Sequence, residues 1–225
     1  MTNELKAFKK TDADFSEGPT HQPGRYIRPP KTKDIPERML KYSLAEKLAA
    51  DIVPEAGMRY FVMLDGKFIA GDFIEAWMVA HNIIAKRLII STLSMSQANV
   101  DSLENLLVGG FVEQMDLIVS DYFFSHERKN LVPYIYQRLD VDNKFQFAAA
   151  GTHCKICLIE TIEGHKITMH GSANLRSSGN LEHLCIEEGE HLYDFNLEII
   201  DKIIIKYKTI RKAERHDALW QTINA

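Results

Sequence analysis

Long apolar runs are missing from this 225-residue chain. No stretch approaches the roughly 20 residues that a helix needs to cross a bilayer, so no membrane span is expected. The opening Met-Thr-Asn-Glu-Leu-Lys lacks the charged-then-apolar layout of a secretory leader. Cysteine is scarce as well. Cys154, Cys157 and Cys185 cannot all pair and have apolar neighbours, which points to a reduced, cytoplasmic compartment. A basic excess is also absent: 27 Lys and Arg face 31 Asp and Glu, a net charge of −4. Coating a duplex by bulk charge is thereby disfavoured, and any polyanion contact must come from a local patch. No internal repeat is visible.

What remains has the balance of an ordinary globular protein, with 45% hydrophobic and 26% charged residues. That length fits one α/β domain or at most two small ones, and buries a core without disulfide or metal staples. Residues 1–36 differ from the rest. They carry Pro19, Pro23, Pro29, Pro30 and Pro36 but few large aliphatic residues, the pattern of an extended arm. Its Arg25, Arg28, Lys31 and Lys33 either grip a polyanion or form a solvated tail. The domain proper is expected over residues 37–225.

Hydrophobic periodicity alternates between strand and helix. Strands are expected at Met58 to Leu64, Arg87 to Leu93 and Met115 to Val119, with helices at Gly71 to Ile84, Ser96 to Val108 and Phe124 to Leu139. Pro133 marks an irregularity in the last of these. This order predicts a layered α/β fold with mostly parallel strands. Four short strands follow, at Phe145 to Ala150, Cys154 to Thr161, Lys166 to His170 and Leu181 to Ile186. A final helix is expected from His191 to Arg211, its apolar side carrying Leu192, Phe195, Ile199, Ile203 and Ile210.

Chemistry concentrates between Gly151 and Glu182. On a strand His153 and Lys155 share a face, and both are costly to bury without partners. A hairpin turning at Glu163-Gly164 returns the chain to Gly171-Ser172-Ala173-Asn174, near His153. Imidazole is a competent nucleophile toward phosphorus. Lys155 supplies positive charge, and Ser172, Asn174 and the amides by Gly171 supply donors for non-bridging oxygens. Glu182 is the candidate for holding the imidazole tautomer. Plain alternatives stand beside each: surface strand residues for His153 and Lys155, turn formers for Ser172 and Asn174, a surface carboxylate for Glu182. His170 and His183 either line the site or are structural. Arg176 binds either phosphate or neighbouring backbone. Asp121 to His126 follows a strand end, where α/β ligand loops cluster, and is a candidate wall of a substrate groove. Cys154 and Cys157, three apart on a strand, face opposite sides and cannot grip one metal; core roles are expected.

The ordered set His153, Lys155, Glu160, Gly171, Ser172 and Asn174 resembles the HxKx4D…GSxN signature of the phospholipase D superfamily, with Glu182 matching a trailing acidic residue. Gly-Ser-Ala-Asn-Leu-Arg-Ser-Ser is similar to single-motif bacterial and phage-type nucleases of that family. The resemblance implies a phospholipase D-like layered α-β-α domain with a mixed sheet, and metal-independent phosphodiester hydrolysis with no cofactor. Glu160 departs from the family's Asp at a position thought to be structural.

Family chemistry uses two histidines, and this chain carries one motif. The resemblance therefore implies a homodimer whose two His153 residues meet across an isologous interface. Nucleic acid, DNA or RNA, is the expected substrate. A binding module without catalysis, and a phosphodiesterase for phospholipids or small diesters, are the alternatives.

Overall fold

The computed structural model describes residues 37–176 and 178–209. The chain opens with α1 (Glu37–Asp51), β1 (Arg59–Leu64), α2 (Ala70–Ala80), β2 (Ala85–Thr92), α3 (Gln97–Val108) and β3 (Met115–Ser120). It continues through α4 (Asp121–Glu127), α5 (Leu131–Leu139), β4 (Phe145–Ala150), β5 (Ile156–Thr161), β6 (Lys166–Gly171), β7 (Glu182–Glu188) and α6 (Glu190–Tyr207). The expected arm at residues 1–36 and the stretch from 210 onward lie outside the described residues.

All seven strands form one sheet in the order β1-β7-β6-β5-β2-β3-β4. Only β2–β3 and β3–β4 are parallel; the other pairings are antiparallel. The sheet is thus mixed, and the expectation of mostly parallel strands is corrected. The hairpin strands β5, β6 and β7 insert between β1 and β2, so the first βαβ unit never pairs its own two strands. The β5–β6 turn falls where expected, with Gly164 at φ +91°, a left-handed conformation that glycine adopts without a Cβ penalty.

One face of the sheet carries the larger core. Phe73, Trp77 and Met78 of α2 are fully buried there, and burying a side chain such as Phe73 or Met78 contributes about 1.5–3 kcal/mol. The Trp77 Nε1–H donates to the Ile52 carbonyl at 2.6 Å, tying α2 to the end of α1. The other face is covered by α6 through Tyr193, Leu197, Ile200 and Ile204, a spacing that keeps one helical side on the sheet. Phe195 and Ile199, expected on that side, are exposed instead. Arg87 of β2 fastens α6 further, reaching buried Asp116 at 2.7 Å and Asp201 of α6 at 2.8 Å. The β4 edge is closed by the Thr209 N–H, which donates to the Phe147 carbonyl at 3.0 Å.

Two other local expectations change. The helix expected over Phe124 to Leu139 is two helices broken at Arg128–Asn130, and Pro133 sits in the first turn of α5, where a missing N–H costs nothing. Ser96 opens α3 with a reciprocal capping box to Asn99. No helix among the described residues is long and apolar enough to cross a membrane.

Candidate active site

The strands β1 to β4 end, β5 and β7 begin, and β6 finishes at one end of the sheet, so the loops there meet. The segment 151–155 leaves β4 and passes over the ends of β3 and β2, where the Ser91 hydroxyl donates to the Cys154 carbonyl at 3.1 Å. His153 and Lys155 lie in this crossing, just before β5 rather than within it. Lys155 Nζ sits 2.9 Å from His153 Nδ1 and donates to the His153 carbonyl at 2.9 Å. Burial pulls the Lys155 ammonium below its ordinary pKa, an effect opposed by the Glu182 carboxylate. Lys155 also borders a small, mostly apolar cavity of about 30 Å³ lined by Phe73, Ile90 and Met169 among others.

The segment 171–181 returns beside this pair. Gly171 donates its N–H to the Lys155 carbonyl at 3.3 Å, which aligns the two motifs. A Cβ on Gly171 would come 2.1 Å from the His183 carbonyl oxygen, so the backbones approach too closely for any side chain. The Asn174 side-chain oxygen accepts the Leu93 N–H at 3.2 Å, leaving its NH2 group as a donor. The loop is also hung from α2, where Gly71 N–H donates to Leu175 O at 2.9 Å, and from the turn after β1, where Gly179 N–H donates to Gly66 O at 3.1 Å. A Cβ on Gly66 would sit 2.2 Å from Gly179 backbone, so this contact requires glycine.

Ser172 is more heavily engaged than its motif position suggests. Its hydroxyl donates to Glu182 Oε2 and accepts the His183 N–H at 3.0 Å. Glu182 Oε1 accepts from Ser178 at 2.6 Å. Glu182 therefore meets two serines, and the hydrogen-bond partner of the imidazole is Lys155. The amides of Gly171 and Ser172 are taken by Lys155 O and His183 O, so they are ladder donors and not the anion donors anticipated. Arg176 is exposed at the loop and forms no hydrogen bond or ion pair among the described residues.

Several singled-out residues fall elsewhere. Glu160 lies five positions along from Lys155, about 16 Å at strand rise, and pairs with Lys86 at 2.9 Å. It belongs to the opposite end of the sheet. His170 and His183 lie on the α6 face; burial lowers the His170 pKa, with Glu187 opposing and His183 adding to the fall. Cys154 is exposed, correcting its expected core role, whereas Cys157 is buried and its thiol is pushed up to about 12. No group of His, Cys, Asp and Glu among the described residues is arranged to hold a metal. Ser91, Leu93, Ser178 and the Gly66–Gly179 contact were not legible as site parts, because each reaches it only through tertiary apposition.

No family model matches the chain, and no curated protein matches it by sequence. Solved structures do. NucT from Helicobacter pylori is 12% identical with a TM-score of 0.50, over 67% of this chain and 97% of that one. The polyphosphate kinase from Porphyromonas gingivalis is 10% identical with a TM-score of 0.50, over 65% of this chain and 26% of the kinase. Nuc from Salmonella typhimurium, a phospholipase D family member, is 12% identical with a TM-score of 0.43, over 56% and 81%. The chain has the phospholipase D-like fold: an α/β architecture with a mixed seven-stranded sheet.

Proposed function

We propose that this chain hydrolyses phosphodiester bonds in nucleic acid, without a metal, through a phospho-histidine on His153 in a site completed by a second copy. The observation that carries this reading is the exposed His153–Lys155 pair, aligned with the GSAN loop through Gly171 and flanked by an Asn174 fixed on Leu93. A nucleophile, a cation and an amide donor thus share one sheet end.

The bonds seen in the single chain suggest how the roles divide. Lys155 donating to Nδ1 leaves the ring proton of neutral His153 on Nε2, so the lone pair available for attack is the one the lysine covers. In the proposed reaction, phosphate oxygens draw one Lys155 away and free that imidazole to attack. The P–N bond forms, the P–O bond to the leaving oxygen breaks, and the partner imidazolium gives that oxygen its proton. Water then loses a proton to the partner imidazole and attacks phosphorus, and the P–N bond breaks. Asn174 steadies the charged oxygens, while Ser172 and Ser178 hold Glu182 near Lys155. In this reading Arg176 meets the substrate backbone.

The deciding experiment is cleavage of an oligonucleotide in EDTA, with oligomeric state followed by light scattering. The expected result is metal-independent cleavage by a dimer, lost in His153→Ala. Full activity in that variant rejects the site, and an active monomer rejects the shared one. A binding module without catalysis is the second reading. It is favoured by the engagement of both His153 Nδ1 and the Ser172 hydroxyl; strand binding without cleavage selects it.

A further inference from the structure

Within Asp121 to His126, expected above to wall a substrate groove, stands an aromatic pair on the loop next to the one carrying His153 and Lys155. Tyr122 and His126, one turn apart on α4, lie with ring centroids 3.8 Å apart and planes 31° from parallel. His126 Nδ1 is 2.8 Å from the Tyr122 carbonyl oxygen, which fixes the imidazole against the phenol. Tyr122 is nonetheless 66% exposed. The rest of α4 explains why the pair points outward: Phe123 is buried, Phe124 packs on Phe147, and the Ser120 hydroxyl caps the helix by accepting the Phe123 N–H. An ordered, solvent-facing aromatic surface is thus held by a rigid anchor.

Its place in the fold matters more than its exposure. Ser120 at the end of β3 pairs with Ala150 at the end of β4. Asp121 lies against Gly151, where a Cβ would be 3.9 Å from Asp121 Oδ2. His153 follows two residues after Gly151, in the crossing segment that runs over β3 toward Ser91. The aromatic pair and the proposed nucleophile therefore border the same sheet end, on neighbouring loops. Lys129, exposed just past α4, adds a cation to that rim.

We infer that Tyr122, backed by His126, is a stacking platform for a nucleobase next to the scissile phosphate, so that the favoured substrate is a strand with unpaired bases. A base inside a duplex has no free π face to offer, whereas an unpaired base stacks on an aromatic side chain without regard to its identity. The inference rests on the nucleic-acid reading above and deepens it by naming the strand state.

The test measures binding by fluorescence anisotropy, using the full chain carrying His153→Ala so that no strand is cut. Probes are a single-stranded oligonucleotide, an abasic strand of the same length and the matching duplex. Tyr122→Ala in this background is expected to weaken binding of the base-bearing strand about ten- to a hundredfold. The preference for that strand over the abasic one should collapse, and Tyr122→Trp should keep it. Equal weakening on base-bearing and abasic strands overturns the inference, as does no weakening on either. A shift of Tyr122→Ala from dimer to monomer also overturns it, assigning the pair to a protein interface. Base-dependent binding through Tyr122, in a chain whose wild-type form cuts no strand, upholds the platform while rejecting hydrolysis.

Discussion

The two ends of the sheet are built from the same strands and differ in almost everything else. At the end holding His153, the loops carry small residues, close backbone contacts and the cations Lys67, Lys129, Lys155 and Arg176 beside Asp65, Asp121, Glu127 and Glu182. At the far end, Glu55, Glu113, Asp142, Glu163 and Glu188 dominate the turns. A cavity of about 200 Å³ lies there, lined by His81, His165 and three of those glutamates. Those carboxylates stand away from the site, whose loops hold cations and carboxylates in similar number. A protein need not be basic overall to offer a phosphate a favourable place; it needs its carboxylates elsewhere.

On that division, site-end changes should alter turnover and far-end changes should alter stability. The largest expected effect is on turnover: His153→Ala should lower kcat by about four orders of magnitude or more, with the thermal midpoint unchanged. Next, Arg87→Ala at the far end should cost about 3–5 kcal/mol, because it strands the buried Asp116 carboxylate. Denaturant titration measures that loss, while kcat per folded molecule should hold. A large drop in kcat there would break the comparison. Ser172→Ala should lower kcat about tenfold through misplacement of Glu182, with the lysine's limb of the pH profile moved to lower pH, because Glu182 raises the Lys155 pKa, as the sign of an indirect role.

Acid should act through Glu188 at the far end and through His170 on the α6 face. The Gly57 N–H, followed by His165, holds the Glu188 carboxylate below its ordinary 4.5. A carboxylate with a depressed folded pKa contributes stability above its unfolded value and loses it as pH falls through the folded one. His170, lowered by burial, works in the same direction below its ordinary 6.5, since the unfolded chain takes up the proton first. Denaturation midpoints should therefore fall from pH 6.5 downward, and Glu188→Gln should flatten the slope below pH 4.5. The smallest effect belongs to Glu160→Ala, which removes a partly exposed pair with Lys86. Its cost should stay within about 1 kcal/mol, and cleavage assays should register no change.

Glu160 also shows what a linear motif conveys. Reading His153, Lys155, Glu160 and GSAN as one signature located the fold correctly, yet that signature spans both ends of a strand, and its acidic member never meets the rest. Strands β3 and β4 were legible because short apolar runs bounded by turns admit few alternatives. The sheet order was not, since strand pairing is decided by contacts distant in sequence. Helix α1 was missed because its buried side depends on small Ala45 and Ala49 between Leu44, Leu48 and Ile52, a weak apolar signal beside a Pro-rich stretch. The engagement of Ser172 was invisible for a similar reason: its partners Glu182 and His183 arrive by strand pairing, and spacing alone does not reveal which donor is already occupied.

The hold of Asn174 on Leu93 gives this site its own clock. The Leu93 amide hydrogen lies on the side-chain oxygen of a residue 81 positions away, so it can exchange with solvent only when the GSAN loop lifts. That loop is also tied to Gly66, Gly71 and the Thr92 hydroxyl, and lifting it breaks these attachments together. Leu93 should accordingly exchange with the slow, cooperative openings of the whole sheet and not with the fast breathing of surface loops. Deuterium uptake at that one peptide would report how rigidly the chain holds the Asn174 amide in place.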